Sequence, residues 1–355
     1  MAQQYKGWES FKAQPIESKL KYFNHPSSNR LFDIIFAQQF DKPFLQQLFD
    51  IANQIRKIAK SQHGSMFLQQ LLADKRAMLF FVQPSTRTFM SFLNACHILG
   101  MKTSEIRDTA TSSEVKGESP EDSIRTFSSY VDLIITRHPD EGFAQKASWV
   151  LNSYANRSIP IINGGSGKDQ HPTQALLDIY TLSRAFSELG GIDNKRITMI
   201  GDLKRGRTVR SLCRLLALYH NVHINFVSPA SYCMREDILK FLDQKGVSYH
   251  ISESLDGCLE DTDAIYATRL QDEHNEKNES SPDLSNYNIT AKHLDIIKPS
   301  CIIMHPFPRR NEIHTDVDQD PRAHYWKQAR NGMWIRAALM LYLFEREHAV
   351  KEYVL

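Results

Sequence analysis

Apolar residues along this chain follow two alternating regimes. Short apolar runs bounded by polar turns read as strands, and the stretches between them repeat their apolar positions every three or four residues, as one face of a helix does. Phe44 to Ile58 has the helical spacing. Ala77 to Phe81 reads as a strand, and beyond it Phe89, Phe92, Cys96 and Leu99 line one face of a helix that ends near Gly100. Further strand candidates are Leu133 to Thr136, Pro160 to Asn163, Ile197 to Ile200, His223 to Val227, Ala264 to Ala267 and Cys301 to Met304, and a long helix is expected near Tyr325 to Arg346. The rhythm predicts an α/β protein whose mostly parallel sheet carries helices on both faces, and 355 residues suffice for two such doubly wound domains joined by long interdomain helices. No repeat of solenoid period is visible, and the low-complexity tract is the polar run Asp272 to Asn286.

In parallel α/β sheets ligands bind at the carboxyl ends of the strands, so the residues just after each strand candidate are where chemistry is expected. After Phe81 comes Ser85-Thr86-Arg87-Thr88, at the start of a helix whose free N–H groups and partial positive charge already suit an anion. By itself this is also what an ordinary N-cap with a surface arginine looks like. After Thr136 come Arg137, His138 and Pro139; after Asn163 a Gly-rich turn and His171-Pro172-Thr173-Gln174. Ile200 is followed by Gly201 to Thr208 with Lys204, Arg205 and Arg207, Ala267 by Thr268-Arg269-Leu270-Gln271, and Met304 by His305-Pro306-Phe307-Pro308-Arg309-Arg310. Each segment alone reads as a surface charge, a core histidine or a solvated turn. Together they favour a site for a substrate carrying several negative charges, because independent surface residues have no reason to collect at one sheet edge.

Composition narrows the chemistry further. With 41% hydrophobic and 24% charged residues and a net charge of +2, the chain is an ordinary globular protein without a broad basic footprint, so nucleic acid is not expected as a partner and any anion site must be local. No apolar run approaches a membrane span, so no membrane association is expected. Cys96, Cys213, Cys233, Cys258 and Cys301 are scattered and odd in number, which reads as reduced core thiols of a cytoplasmic protein. Met1 to about Asn29 is polar and carries Glu9 and Glu17, unlike a transit peptide; it is expected as an extension laid on the surface or partly disordered. Gly201 to Gly206 lacks the dinucleotide spacing and Gly167-Lys168 lacks the rest of a phosphate loop. There is no G-x-S-x-G, no H-E-x-x-H and no zinc-spaced Cys/His set, so neither a metal nor a bound cofactor is expected.

From about Arg30 to Leu355 the chain resembles the aspartate/ornithine carbamoyltransferase family. The resemblance rests on seven ordered segments: Ser85 to Thr88, Ser112 to Glu118, Arg137-His138-Pro139, His171 to Asp178, Gly201 to Thr208, Arg269-Leu270-Gln271 and His305 to Arg309. It implies transfer of the carbamoyl group of carbamoyl phosphate to the amine of L-aspartate, an early step of pyrimidine synthesis. By the family pattern Ser85, Thr86, Arg87 and Thr88 hold the phosphate with Arg137 beside it. Thr88, Arg137 and His171 converge on the carbamoyl oxygen, while Gln174 and the carbonyls of Pro306 and Phe307 hold the carbamoyl NH2. Arg207, Arg269 and Gln271 match the aspartate-binding positions. The loop bearing Ser112 and Lys116 is expected to reach a neighbouring subunit's site in a homotrimer, and regulatory or other pathway subunits are possible partners. An ornithine enzyme would show Ser-Met-Gly near Arg269 and Cys at Pro306; neither is present, and Arg269 would repel an ammonium. A family member with another acceptor, or a catalytically silent scaffold homologue, is the alternative.

The same map implies an N-terminal extension over 1–29, a carbamoyl-phosphate domain over 30–182 completed by the C-terminal helix at about 325–355, and an aspartate domain over 183–324 whose polar run after Gln271 closes over the substrate. Three positions depart from the family pattern. Phe89 and Leu93 stand where Arg and Glu are usual, which suggests an ion pair exchanged for an apolar contact on one helix face. Gln83 stands where a Glu is common. A neutral amide there weakens any link to Arg207, so closure is expected to differ from that of relatives. Small-angle scattering with and without a bisubstrate analogue checks this: Gln83→Glu should compact further than the parent on binding, and identical profiles would remove the argument.

Overall fold

The structure, a computed structural model, describes residues 7–108, 117–154, 158–167, 170–269 and 285–354. It divides into two compact units, Met1–Leu176 with Gly332–Leu355, and Leu177–Asn331. The chain passes between them within the helices Pro172–Ala185 and Tyr325–Leu343.

The first unit is built on a four-stranded parallel sheet. In chain order its strands are β1 (Arg76–Phe81), β2 (Lys102–Ile106), β3 (Leu133–His138) and β4 (Ile161–Ser166), and in space they run β2-β1-β3-β4. All six residues of β3 and of β4 are buried, as expected of strands covered on both faces, and each opens on an apolar run, Leu133 to Ile135 and Ile161 to Ile162, before its polar end. Strand β2 was not legible in the hydrophobic pattern. It is a polar edge strand, Lys-Thr-Ser-Glu-Ile, with one neighbour and little burial, so it carries no apolar signature. The helix Lys42–Ile58 has the expected amphipathic face, capped by Asp41, whose side chain accepts from the Phe44 N–H.

The N-terminal stretch departs from expectation. Rather than lying on the surface, residues from Trp8 onward fold into short helices, Trp8–Lys12 and Ile16–Lys19, and feed the core. Phe11 and Phe23 are fully buried and Tyr22 nearly so, packed in one cluster with Phe36, Phe80, Phe143 and Trp149. Tilted and edge-on ring contacts explain it: the ring centroids of Phe11 and Tyr22 are 4.6 Å apart, those of Phe23 and Phe36 5.6 Å, and those of Trp8 and Trp149 5.9 Å. Polar residues between these rings had masked the aromatic spacing.

Asp33 secures the chain just after this segment. It is buried; Ser148 Oγ and Asn152 Nδ2 donate to its Oδ2 at 2.6 and 2.9 Å, and the Ile161 N–H donates to Oδ1 at 2.8 Å. One carboxylate thus ties the helix Phe143–Tyr154 and β4 to the segment leading out of the aromatic cluster.

The second unit holds a five-stranded parallel sheet. Its strands are β5 (Arg196–Gly201), β6 (His223–Val227), β7 (Ser248–Ser252), β8 (Ala264–Thr268) and β9 (Ile302–Met304), arranged β7-β6-β5-β8-β9. β7 is a second polar edge strand missed for the same reason as β2. At the centre Gly201 pairs with Thr268, and its φ of +110° together with a Cβ position only 2.1 Å from the Thr268 carbonyl oxygen demands glycine.

Burial pushes the Asp33 carboxyl up to about 6, against the hydrogen bonds from Ser148, the Ile161 N–H and Asn152 that favour its ionised form. The folded chain therefore holds a proton there that the unfolded chain, at its ordinary value of 3.8, has lost. That contribution to stability is fully present below pH 3.8 and is lost as pH rises through about 6. Urea unfolding of the parent and Asp33→Asn between pH 7 and 4 should show the stability gap widening in the parent's favour as pH falls, by about 1–3 kcal/mol. A gap independent of pH would contradict it.

Candidate active site

The turn after β1 delivers Ser85 to the N-cap position of the helix Thr86–Ile98. Its side chain makes no capping hydrogen bond, so its hydroxyl is not used to close the helix. Thr86 and Arg87 are exposed in the first turn and Thr88 is buried. The first turn itself contains no acidic residue, although the positive end of a helix favours acids over a cation such as Arg87 by about 0.3–1 kcal/mol. Phe89 is buried against Phe81, ring centroids 5.4 Å apart, beneath the Arg107 guanidinium at 4.2 Å, while Leu93 is half-buried.

The end of β3 lies beside this turn. The Gln83 N–H donates to the Arg137 carbonyl at 3.2 Å, and Gln83 Oε1 is buried without a partner among the described residues. Arg137 is only 8% exposed, and its Nη1 donates to the Gly164 carbonyl at 3.1 Å. His171, 4% exposed, precedes the helix Pro172–Ala185, and its carbonyl accepts from the N–H groups of Gln174 and Ala175.

Gly165 brings Arg137 and His171 together. A Cβ on Gly165 would lie 2.5 Å from Arg137 Nη1 and 3.2 Å from His171 Cδ2, so both side chains rest on its bare backbone, which sits at φ +112°. Asn163 shapes this irregular end of β4, where the register with β3 shifts: its Oδ1 accepts from the Gly165 N–H at 2.8 Å and from Ser166 Oγ at 3.3 Å. Neither Gly165 nor Asn163 was singled out from sequence. The signal was present only as a Gly-Gly pair after a strand. His138, in contrast, is part of the scaffold: its ring stacks on Phe143 at 3.9 Å, and burial lowers its pKa although nearby Asp140 opposes the shift.

In the second unit three neighbouring strand ends carry the remaining expected residues. Arg207 opens the helix Arg207–Leu216 after β5, again with no acid in the first turn. Arg269 directly follows β8, which is locked to β5 by a hydrogen bond from Thr268 Oγ1 to the Ile200 carbonyl at 3.0 Å. Pro306 and Phe307 follow β9, with Phe307 at a φ of +54°, unusual for a bulky residue. That turn is held firmly. The His305 Nδ1 accepts from the Phe307 N–H at 2.8 Å, its Nε2 lies 2.6 Å from Glu312 Oε1, and the His305 N–H donates to Gln328 Oε1 at 2.8 Å. Burial opposes ionisation of Glu312, yet the hydrogen bond and charge of His305 keep its carboxyl below the ordinary range. Gln328 and Tyr266 in turn each donate to Asp178 at 2.7 Å. Arg309 is spent on an ion pair with Asp318 and on the rings of Tyr325 and Trp326.

Ser112, Lys116, Gln271 and the polar run after it, over 270–284, lie outside the described residues. A cleft of about 280 Å³ in the first unit, between Trp8, Glu121, Phe143 and Lys146, contains none of the expected site residues. Among the described residues no His, Cys, Asp or Glu group is arranged to hold a metal, and no helix is long and apolar enough to cross a membrane.

Parallel sheets with hydroxyls, arginines and a histidine at their strand ends define an α/β protein equipped for small polyanions. Residues 33–184 match the family described as aspartate/ornithine carbamoyltransferase, carbamoyl-P binding domain, and residues 193–343 match its Asp/Orn binding domain. The chain is 42% identical over 316 residues to the chloroplastic aspartate carbamoyltransferase 1 of Pisum sativum, covering 88% of this chain and 78% of the relative. It is 41% identical over 301 residues to the aspartate carbamoyltransferase catalytic subunit of Methanocaldococcus jannaschii, covering 84% and 94%. The solved catalytic subunit of the M. jannaschii enzyme superposes with a TM-score of 0.79 at 37% identity, over 89% of this chain and 98% of that one. Aspartate transcarbamoylase from Trypanosoma cruzi, in complex with N-(phosphonacetyl)-L-aspartic acid, gives 0.77 at 34% identity, over 91% and 96%. The chain belongs to the aspartate/ornithine carbamoyltransferase family.

The geometry at Gly165 makes a direct prediction. Gly165→Ala should remain folded but displace Arg137 and His171, and a misplacement near 1 Å costs about a hundredfold in rate. Steady-state kinetics with circular dichroism as the folding control checks this, and parent-like turnover in a folded variant would refute it.

Proposed function

We propose that this chain is an aspartate carbamoyltransferase, transferring the carbamoyl group of carbamoyl phosphate to the α-amine of L-aspartate to give N-carbamoyl-L-aspartate and phosphate. The observation that carries the reading is the meeting of Arg137 and His171 over Gly165, with the Arg137 carbonyl bonded to Gln83 just ahead of the hydroxyl-rich helix start. Ser85, Thr86, Arg87 and Thr88 hold the phosphate, joined by Arg137. Thr88, Arg137 and His171 hold the carbamoyl oxygen, and Gln174 with the carbonyls of Pro306 and Phe307 holds the NH2. Arg207 and Arg269 take the aspartate carboxylates, assisted by Gln271.

The chemistry follows from charge. The amine lone pair forms the new C–N bond, negative charge grows on the carbonyl oxygen, and the C–O bond to phosphate then breaks with its electrons leaving on phosphate. Phosphate accepts the proton released by the amine. Donors fixed in advance around that oxygen stabilise the intermediate, each about 3–4 kcal/mol by the usual effect of removing one. His171 acts as a neutral donor, and Arg137 offsets the charge on both the oxygen and the leaving group. Holding two mutually repelling anions in register supplies much of the remaining acceleration.

We further propose a homotrimer with shared sites, Ser112 and Lys116 completing a neighbour's site, in the cytoplasm; the five thiols are free, as a reducing compartment requires. Turnover assays on the purified chain with aspartate, ornithine, putrescine and oxamate test the acceptor. Aspartate alone should react, and no turnover with any of them would support the silent-scaffold alternative. Light scattering should give a trimer. Inactive Lys116→Ala and Arg87→Ala proteins should regain activity when mixed and reassembled, and no regain after verified exchange would argue against shared sites.

A further inference from the structure

The part of the helix Tyr325–Leu343 that belongs to the first unit places one charged side chain, Arg336, against the helices Thr86–Ile98 and Pro172–Ala185. Arg336 is 2% exposed. Its Nη1 donates to Ser91 Oγ at 2.7 Å and its Nη2 to Thr173 Oγ1 at 3.3 Å, while its guanidinium carbon stands 4.6 Å from the centroid of the Phe92 ring. Ser91 is three residues past Thr88 on the helix Thr86–Ile98, and Thr173 lies between His171 and Gln174. Thr173 is itself fully buried and Phe92 packs against Phe81 at the end of β1.

Interdigitated apolar packing fixes the distance between helices but leaves a scatter of about 15–20° in their crossing angle. A planar guanidinium bonded at two fixed nitrogens and held over an aromatic face fixes both distance and direction. The cost of keeping a cation in the interior is considerable, and the bonds to Ser91 and Thr173 and the Phe92 ring that help offset it also tie these two helix starts together.

Resting on the proposed carbamoyl transfer, we infer that Arg336 is a positioning residue for that reaction. It holds the oxygen-directed pair His171 and Gln174 in register with the phosphate-directed Ser85 to Thr88. It touches no substrate. Its effect is exerted through Thr173 on one side and Ser91 on the other, so it governs the alignment of the two ends of carbamoyl phosphate and not the recognition of the acceptor.

The experiment compares Arg336→Met, Arg336→Lys and the double variant Ser91→Ala/Thr173→Val in the full chain, each checked by circular dichroism and thermal melting. Arg336→Met should lower kcat about a hundredfold, the usual consequence of a misplacement near 1 Å, with the KM for aspartate changed by no more than about threefold. Millimolar guanidinium should restore part of the lost kcat in Arg336→Met and none in the parent. The Ser91→Ala/Thr173→Val change should cost much less in the Arg336→Met background than in the parent, because the route is already broken. Parent-like kcat in a folded Arg336→Met protein overturns the inference, as does full additivity of the two changes. If Arg336→Met does not fold, the double variant decides: reduced kcat at unchanged aspartate KM supports the role and parent-like kcat overturns it. Failure of the parent to carbamoylate aspartate would instead defeat the proposed function, a separate outcome.

Discussion

A buried guanidinium needs its charge solvated by fixed dipoles and its reach limited by its neighbours, and at Arg137 both demands fall on one turn. The Gly164 carbonyl accepts from it, and the absent side chain at Gly165 leaves room for Arg137 and His171 on the same few atoms of backbone. Any Cβ there would push both donors away. The rest of the first unit serves this contact: β1 and β4 flank β3 in parallel, so the turns after all three strands emerge at one edge. Within β4, Asn163 accepts from the Gly165 N–H where the register with β3 shifts, between the pairs Thr136–Asn163 and His138–Ser166.

The helices Thr86–Ile98 and Arg207–Leu216 each carry an arginine and no acid in the first turn, Arg87 second in one and Arg207 first in the other, which is not what a helix macrodipole favours. A surface helix under no other demand gains stability by placing Asp or Glu there, as the helices Pro120–Tyr130 and Glu236–Lys245 do. Conflict between local preference and observed sequence is expected where a position answers to something other than helix stability. The second unit meets its own demand differently. Its β9 turn is held by a chain of buried polar groups from Phe307 through His305 and Gln328 to Asp178, where Tyr266 also ends. Satisfied polar networks of this kind permit few alternative arrangements, so the Phe307 turn is fixed.

Legibility followed burial. Strands covered on both faces announced themselves as apolar runs, whereas β2 and β7, polar edge strands, carried no pattern to read. The N-terminal segment misled for a related reason. Its mean composition is polar, but Phe11, Tyr22 and Phe23 are anchors, and an aromatic residue brings enough buried area to order short helices that propensity alone would leave unformed. The cationic strand ends were visible in sequence because strand order along the chain already says which residues share an edge. Gly165 and Arg336 were not, since the importance of a missing side chain or of a lone arginine in a long helix depends on what stands opposite it.

The sequence by itself therefore determined the alternation of strands and helices, the collection of hydroxyls, arginines and histidine at strand ends, and through ordered motifs the family. These are properties of local spacing and chain order. Only the tertiary structure decided that Arg137 and His171 share one glycine floor, that His138 and Arg309 belong to the scaffold, and that Phe11, Tyr22 and Phe23 join the core. Such facts concern groups distant in sequence, and no local pattern encodes a distance of a few ångströms between residues dozens of positions apart.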